Sequence, residues 1–583
     1  MSTAYSASNR PALRWLTVLS LSALLAACGG GGGSDSSSNP NSPSSPNAPA
    51  PSLPEEAAMG TVAAQRMLDQ ATFGPSETSI AAAANLGPMH WLQGQFAAPV
   101  SQFRNYSAEI HTAGLKDFCK ERNLGDNCWR DYYSAEPLVR DFYVQAVSGG
   151  DQLRQRVAFA LSQIWVVSNH EVEGTYGLRD YHQMLRDNAF GNARTLLRKV
   201  ALHPVMGTFL NMVNNEKAAP NENFARELMQ LFTIGPCQLT QGAELAGGSC
   251  QPTYDNTGVR EVAFSLTGWT YPAGGVNPWG SSGWKNPTYL KGEMTAVAAQ
   301  HDQTERTLPG GVVVPAVRTP QVALDAVIDS LFNHPNIAPF LSHQLIQHLV
   351  TSNPKPEYVA RVSAAFASGT AYGFGSGQRG DMKAILAAIL LDPEARDAAL
   401  AEDSNYGRLR EPAQMITNLL RALNGRTDGT SMYWWWGSAL GEMVYNAPSV
   451  FNFYPPDYPL PGTALVAPQF GIENAATTMQ RLNFINGLLY WTNGIGPDSS
   501  VPGSTGSQVD LTGFQSSADD AAGLVDRVAA LLTGGRLSAD TRNQILAAVT
   551  AWDPVKNKSN YKQERVRTAF YLVLASPDFQ VQR

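Results

Sequence analysis

The sequence predicts an all-α protein: a large multi-helix globular body with long Gly/Pro-rich loops, preceded by a disordered tether. Three observations carry this. Apolar residues recur at helical spacing through most of the chain. Strict apolar/polar alternation, the mark of half-buried strands, is scarce. The composition also breaks near residue 57, where a run of Gly, Ser, Pro and Asn gives way to an ordinary globular mixture.

Residues 1–27 read as a lipoprotein signal peptide. Arg10 and Arg14 supply a positive start, and "LTVLSLSALLAA" is apolar but too short to span a bilayer comfortably. Leu25-Ala26-Ala27-Cys28 resembles the lipobox of bacterial lipoproteins, which implies cleavage before Cys28 and lipidation of its thiol and new amino terminus. Gly29 after that Cys favours the outer membrane by the same resemblance. The competing reading is an ordinary secretory signal with an incidental Cys. Residues 28–57 form the Gly/Ser/Pro tether, with almost no large apolar side chains and a reach of roughly 30 Å.

Residues 58–583 form the body. Its helices are expected at about 152–168, 177–201, 221–234, 320–333, 338–351, 355–368, 380–391, 407–424, 475–490, 520–533, 538–551 and 560–575, and helix-on-helix packing is the economical architecture. "DQLRQRVAFALSQIWVVS" takes Asp151 as its N-cap and is apolar on most sides, except for a polar row of Gln152, Arg156 and Gln163. Gly268 to Tyr289 and Pro497 to Ser517 read as long Gly-, Pro- and Ser-rich loops. Trp269, Trp279 and Trp284 on the first, and the cluster Tyr433-Trp434-Trp435-Trp436, are candidate ligand-stacking aromatics, with core packing as the plainer alternative.

The charge of the whole chain is −7 and unclustered, which recommends no nucleic-acid partner. Four cysteines follow Cys28. Their spacing favours disulfides Cys119–Cys128 and Cys237–Cys250 over a metal site, for which no CxxC and no nearby His pair exist. No cofactor is implied. HExxH, GxSxG and P-loop motifs are missing, and Ser352-Asn353-Pro354-Lys355 matches S-x-x-K only in letters, because the Pro forbids the helical turn. Gly375, Gly377 and Gly380 follow a helix rather than a strand, so they read as a connector and not a dinucleotide loop. His343 and His348 lie about 140° apart on a helix and are not expected to share a face. His301-Asp302 is a candidate ligand or base–orienter pair, with a structural corner as the alternative.

"NENFARELMQLFTIG" is the strongest candidate for chemistry. With Arg226 at zero on a helical wheel, Thr233 and Glu222 fall to one side and Gln230, Asn223 and Glu227 to the other. The opposite side is wholly apolar, and Gly235-Pro236 is a strong stop. Glu222 and Arg226 at i,i+4 could simply pair on the surface. The mixture of carboxylate, guanidinium and amide groups without Lys also suits a buried network or a site built on Glu227, Arg226, Asn223 and Glu222. A buried Arg156 needs a carboxylate, and Glu227 or Glu222 is the expected partner, with the two helices side by side.

Ten blocks in order carry a resemblance, among them "QRVAFALSQIWVVS", "NENFARELMQLFTIG", "HDQTERTL", "LREP" and "APSVFNFYPPDY". From about residue 61 to 490 the chain resembles the bacterial family called domain of unknown function 1800. It departs at His343 and His348, where members more often show Arg, so no anion-binding role is carried over to that helix. The family supplies no settled reaction. Its members often occur beside a secreted, sulfatase-like protein of the domain of unknown function 1501 family, which implies a possible partner. The expectation is therefore an outer-membrane-tethered envelope lipoprotein, periplasmic or on the cell surface, that binds or assembles with such a partner or an envelope polymer. The alternative is a hydrolase using the helix 221–234.

Overall fold

A computed structural model describes residues 57–104, 115–275, 283–492 and 494–583. Cys28, the expected signal peptide, the tether up to residue 56 and Trp279 lie outside the described residues. The architecture is all-α: helices make up 53% of the chain, and the strands form four two-stranded antiparallel pairs that act as clips between helices. Among the described residues no helix is long and apolar enough to cross a membrane.

The helix Gln152–Ile164 runs through the centre with all 13 of its residues buried. Asp151 sits at its N-cap position but makes no cap bond. Its carboxylate instead accepts from the Ser101 amide at 2.9 Å and from Gln155 Nε2 at 2.7 Å, while the Leu153 amide is satisfied by Gln95 Oε1 at 3.0 Å. Against this centre pack Thr61–Ala71, Pro88–Ala97, Glu136–Ser148, Thr175–Asp187 and Ile337–Leu349. From the last of these the chain stacks Pro356–Ser368 and then Met382–Leu390, entered through Gly375, Gly377 and Gly380, whose φ values of 101°, 77° and 79° need glycine. Asp381 caps Met382–Leu390 through the amides of Lys383 and Ala384. Ala521–Thr533, Ala539–Thr550 and Tyr561–Ala575 pack together as a cluster of three. One continuous apolar core runs from Ala64 to Phe579, with a small satellite of Phe118, Cys128 and Tyr133.

Several boundaries differ from expectation for local reasons. The segment 177–201 is two helices, Thr175–Asp187 and Ala193–Leu202. Asn188 folds its amide back onto the Met184 carbonyl at 2.7 Å, and Asn192 caps the second helix through the Arg194 amide at 3.0 Å. The segment 407–424 becomes helical only at Pro412, because Arg408–Leu409 pairs as a strand with Val581–Gln582. The signature helix is short, Asn223–Gln230. Beyond it the bonds widen, Phe232 N to Glu227 O at 3.1 Å and Ile234 N to Met229 O at 3.1 Å, and Gly235 closes the turn at φ 68°. Both disulfides, Cys119–Cys128 and Cys237–Cys250, are formed.

Candidate functional site

Two layers meet where Gln152–Ile164, Ile337–Leu349 and the segment 450–469 converge: a closed ionic network and, in front of it, a cavity. Arg156, Arg408 and Glu411 are all fully buried. Arg156 Nη2 donates to the His348 carbonyl, and Arg408 Nη1 donates to the same oxygen at 2.7 Å. Two guanidinium groups thus cover the negative end of Ile337–Leu349. Glu411 stands 3.3 Å from Arg408 Nη2 and 3.9 Å from Arg156 Nη2. The Tyr454 hydroxyl lies 2.7 Å from Glu411 Oε2 and 3.1 Å from Gln163 Oε1, and its proton goes to the carboxylate, the stronger acceptor. Gln163 Oε1 then accepts from Asn452 Nδ2 at 3.0 Å.

Burial pushes the Glu411 carboxyl up, but Arg408 and then Arg156 more than offset it and hold it below the usual range. Arg156 is pushed down to about 10 by burial and by Arg408, which leaves it charged at neutral pH. Glu442, also fully buried, is held well above the usual range by burial and by the charge on Glu411. Its Oε2 accepts from the Ala413 amide at 2.8 Å.

The cavity has a volume of about 390 Å³. Its apolar walls include Leu231, Phe340, Val450 and Phe451, and its polar surface includes Gln163, Gln344, Gln347, His343, His348 and Asn452, with the exposed Asp457 also among the lining. His343 and His348 do share it. The space wraps round the edge of Ile337–Leu349 far enough to take both, with Gln344 and Gln347 between them. Burial pushes His343 down to about 4 and His348 to about 3, so both imidazoles are neutral at pH 7. Among the described residues Gln163 Nε2, Gln344 Nε2, Gln347 Oε1, His348 Nδ1 and Gln469 Oε1 are buried without a hydrogen-bond partner, and all five residues line the cavity. A buried polar atom left unpaired costs about 1–3 kcal/mol, so such atoms beside an open volume describe a place for a hydrogen-bonding guest.

The residues singled out from sequence scatter around this centre. Arg156 and Gln163 lie in the network around Glu411, and Arg156 meets Glu411, not Glu227 or Glu222. The reason is packing: the signature helix lies against Asn256–Ser265. Its polar edge is divided. Glu222 and Arg226 form a half-exposed pair at 3.2 Å, Asn223 Nδ2 donates to Asn211 Oδ1 at 3.1 Å, and Gln230 reaches the cavity. Glu227 is half-buried, its Oε2 has no partner among the described residues, and burial raises its carboxyl above the ordinary value. The end of the block is fixed to the centre, where Trp165 Nε1 donates to the Phe232 carbonyl at 3.2 Å and Asn336 Nδ2 to the Ile234 carbonyl at 2.9 Å.

His301 and Asp302 form a corner. His301 Nδ1 lies 2.8 Å from the Thr267 carbonyl, and Asp302 is held by Arg306 at 2.9 Å and Arg318 at 3.5 Å. Trp269 is a core residue, whereas Trp284 is half-buried under the Lys285 ammonium, 5.4 Å from its ring. None of these four lines the cavity. Among the described residues no cluster of three or more His, Cys, Asp or Glu is arranged to hold a metal.

The family described as Protein of unknown function (DUF1800) matches residues 66–581, nearly the whole chain. The chain belongs to this family. The match reaches well past residue 490, so the three-helix cluster belongs to the family region as much as the signature block does. No curated protein and no solved structure matches the chain.

Two blocks whose roles periodicity did not show build the network and one wall of the cavity. "LREP" supplies Glu411 to the network behind the cavity, and "APSVFNFYPPDY" supplies Val450, Phe451, Asn452 and Tyr454 to its lining. A loop that sets Asn452 between two Phe residues and Tyr454 directly ahead of Pro-Pro was the available signal. Asn452 takes the left-handed conformation at φ 63°, which Asn tolerates better than most residues.

Proposed function

We propose that the protein is a binding protein of the cell envelope whose cavity takes a neutral, hydrogen-bonding segment of an envelope polymer, a saccharide bearing hydroxyl and amide groups. The observation that carries this is the set of unpaired amide and imidazole atoms on residues lining an apolar-walled cavity, with both imidazoles held neutral. Amides and neutral imidazoles each both donate and accept, the complement of hydroxyls and acetamides. Catalysis by the deep carboxylate is disfavoured by its surroundings, since Glu411 is enclosed by Arg408, Arg156 and Tyr454 and does not line the cavity. The tether and a lipid on Cys28 would hold the body at the outer membrane, and an exported sulfatase-like protein of the domain of unknown function 1501 family is the candidate partner.

The test is calorimetric titration of the full chain with the N-acetylglucosamine trimer. Saturable binding is expected, with Gln344→Leu weakening it about tenfold through loss of one hydrogen bond. Gln344 makes no hydrogen bond through Nε2, so the variant leaves the fold intact. Equal affinity in wild type and variant, or no binding, would overturn the reading.

A second reading, a hydrolase, draws on one observation: the unpaired, partly buried Glu227 Oε2 with its raised carboxyl. There Glu227 would serve as general base, with Arg226 as electrostatic stabiliser and Asn223 and Glu222 beside them. Glu227→Gln should then abolish turnover of any substrate found and leave saccharide binding in the cavity unchanged.

A further inference from the structure

A second aromatic site stands apart from the cavity. Trp434 and Trp435 are 49% and 70% exposed, unusual for the largest apolar side chains, and with Tyr433, Glu136, Ser431 and Asp498 they line a recess of about 350 Å³. The platform is braced from behind. Tyr433 is buried, its hydroxyl donates to Asn169 Oδ1 at 3.0 Å, and its ring meets Trp434 edge-on at 4.9 Å. Trp129, beside the Cys119–Cys128 bridge, holds Trp434 from another side at 5.7 Å and donates to Glu173 Oε1 at 3.3 Å. An indole held this way loses little conformational freedom when a ligand stacks on it.

The recess also contains a polar group that the fold does not use. Glu136 is 5% exposed, Arg140 Nη2 donates to its Oε1 at 2.9 Å, and its Oε2 is buried without a partner among the described residues. Two ligand chemistries suit aromatic faces next to carboxylates: a sugar ring and a methylated ammonium. The surrounding charge separates them. Arg140 pairs with Glu136, Arg130 binds Asp131 at 2.8 Å, and Asp498 spends Oδ1 on the amide and hydroxyl of Ser500. Glu136 is therefore compensated by Arg140, while Asp498 stays ionised, its carboxyl held down by its Ser500 hydrogen bonds and by the nearby Arg130 and Arg140. Those guanidinium groups weaken the attraction for a cation, and the carboxylate oxygens remain acceptors for hydroxyl protons.

We infer that Trp434 and Trp435 form a carbohydrate-binding platform, with the apolar face of a neutral pyranose stacked on the indoles and a ring hydroxyl donating to Glu136 Oε2. The site is independent of the cavity, and a glycan chain is its natural ligand because an open platform accepts internal residues as readily as ends.

The experiment titrates the full chain with cellohexaose and follows tryptophan fluorescence and calorimetric heat, with choline chloride titrated in parallel. Saturable cellohexaose binding is expected, lost by at least tenfold in Trp435→Ala and partly retained in Trp435→Phe, while Gln344→Leu leaves it unchanged. Trp435 is mostly in solvent, so both variants keep the wild-type melting temperature. Absence of saturable cellohexaose binding, equal affinity in Trp435→Ala, or binding of choline in place of the sugar overturns the proposal.

Discussion

Burial holds His343 at about 4 and His348 at about 3, against about 6.5 in an unfolded chain. Their folded values are depressed, so the unfolded chain binds the protons first. Full stability is present above pH 6.5 and is lost as pH falls from there toward 4 and 3. Thermal melting from pH 7.5 to 4 should show a falling midpoint, and His343→Gln/His348→Gln should flatten that slope. An unchanged slope would show the imidazoles to be solvated. The ionic network allows a second expectation. Glu411→Gln leaves two buried guanidinium groups without their anion, whereas Arg156→Met strands no charge, because Arg408 still covers Glu411. Glu411→Gln should cost about 3–5 kcal/mol in denaturant unfolding and Arg156→Met clearly less. The reverse order would mean that Arg156 stabilises chiefly by capping the His348 carbonyl. That Arg156 had to be paired was legible in its polar row on an apolar helix. That its partner is Glu411 was not, because those two residues are brought together by tertiary packing and no local period reports it.

Helices such as Pro320–Asn333, Ala475–Tyr490 and Tyr561–Ala575 were legible almost to the residue, since each has continuous helical periodicity; in the structure Thr319 caps the first and an Asn474–Thr477 capping box opens the second. The break at Asn188–Asn192 and the late start at Pro412 were not, because there side chains and a distant strand compete with the helical pattern. The end of the signature block supports a prediction of its own. Gly235 has φ 68°, and a Cβ there would meet the Phe340 ring at 2.7 Å. Gly235→Ala should therefore lower stability by about 1–2 kcal/mol from backbone strain alone. It should also weaken saccharide binding, since Phe340 is a wall of the cavity. Loss of stability with unchanged affinity would show that Phe340 yields outward.

At the scale of the whole molecule, the fold class followed from spacing and composition, but the cavity could not, because its lining is drawn from segments between Gln163 and Gln469 that meet only in the folded chain. The proposed lipid anchor makes a prediction: Cys28→Ser should abolish lipid labelling and shift the protein from the membrane to the soluble fraction, and unchanged partition would refute the anchor. The bridge Cys237–Cys250 has a different kind of consequence. The loop it closes carries Leu239 and Ala243 to the cavity, and Asn336 Nδ2 anchors its first cysteine through the Cys237 carbonyl at 2.7 Å. Reduction gives the unfolded chain back about 3 kcal/mol of loop entropy, so the reduced protein should be less stable by about that amount. On the binding reading, the wall that carries Leu239 and Ala243 is therefore best held in the oxidised chain. If the cavity is a binding site, an oxidising compartment would then supply part of its rigidity.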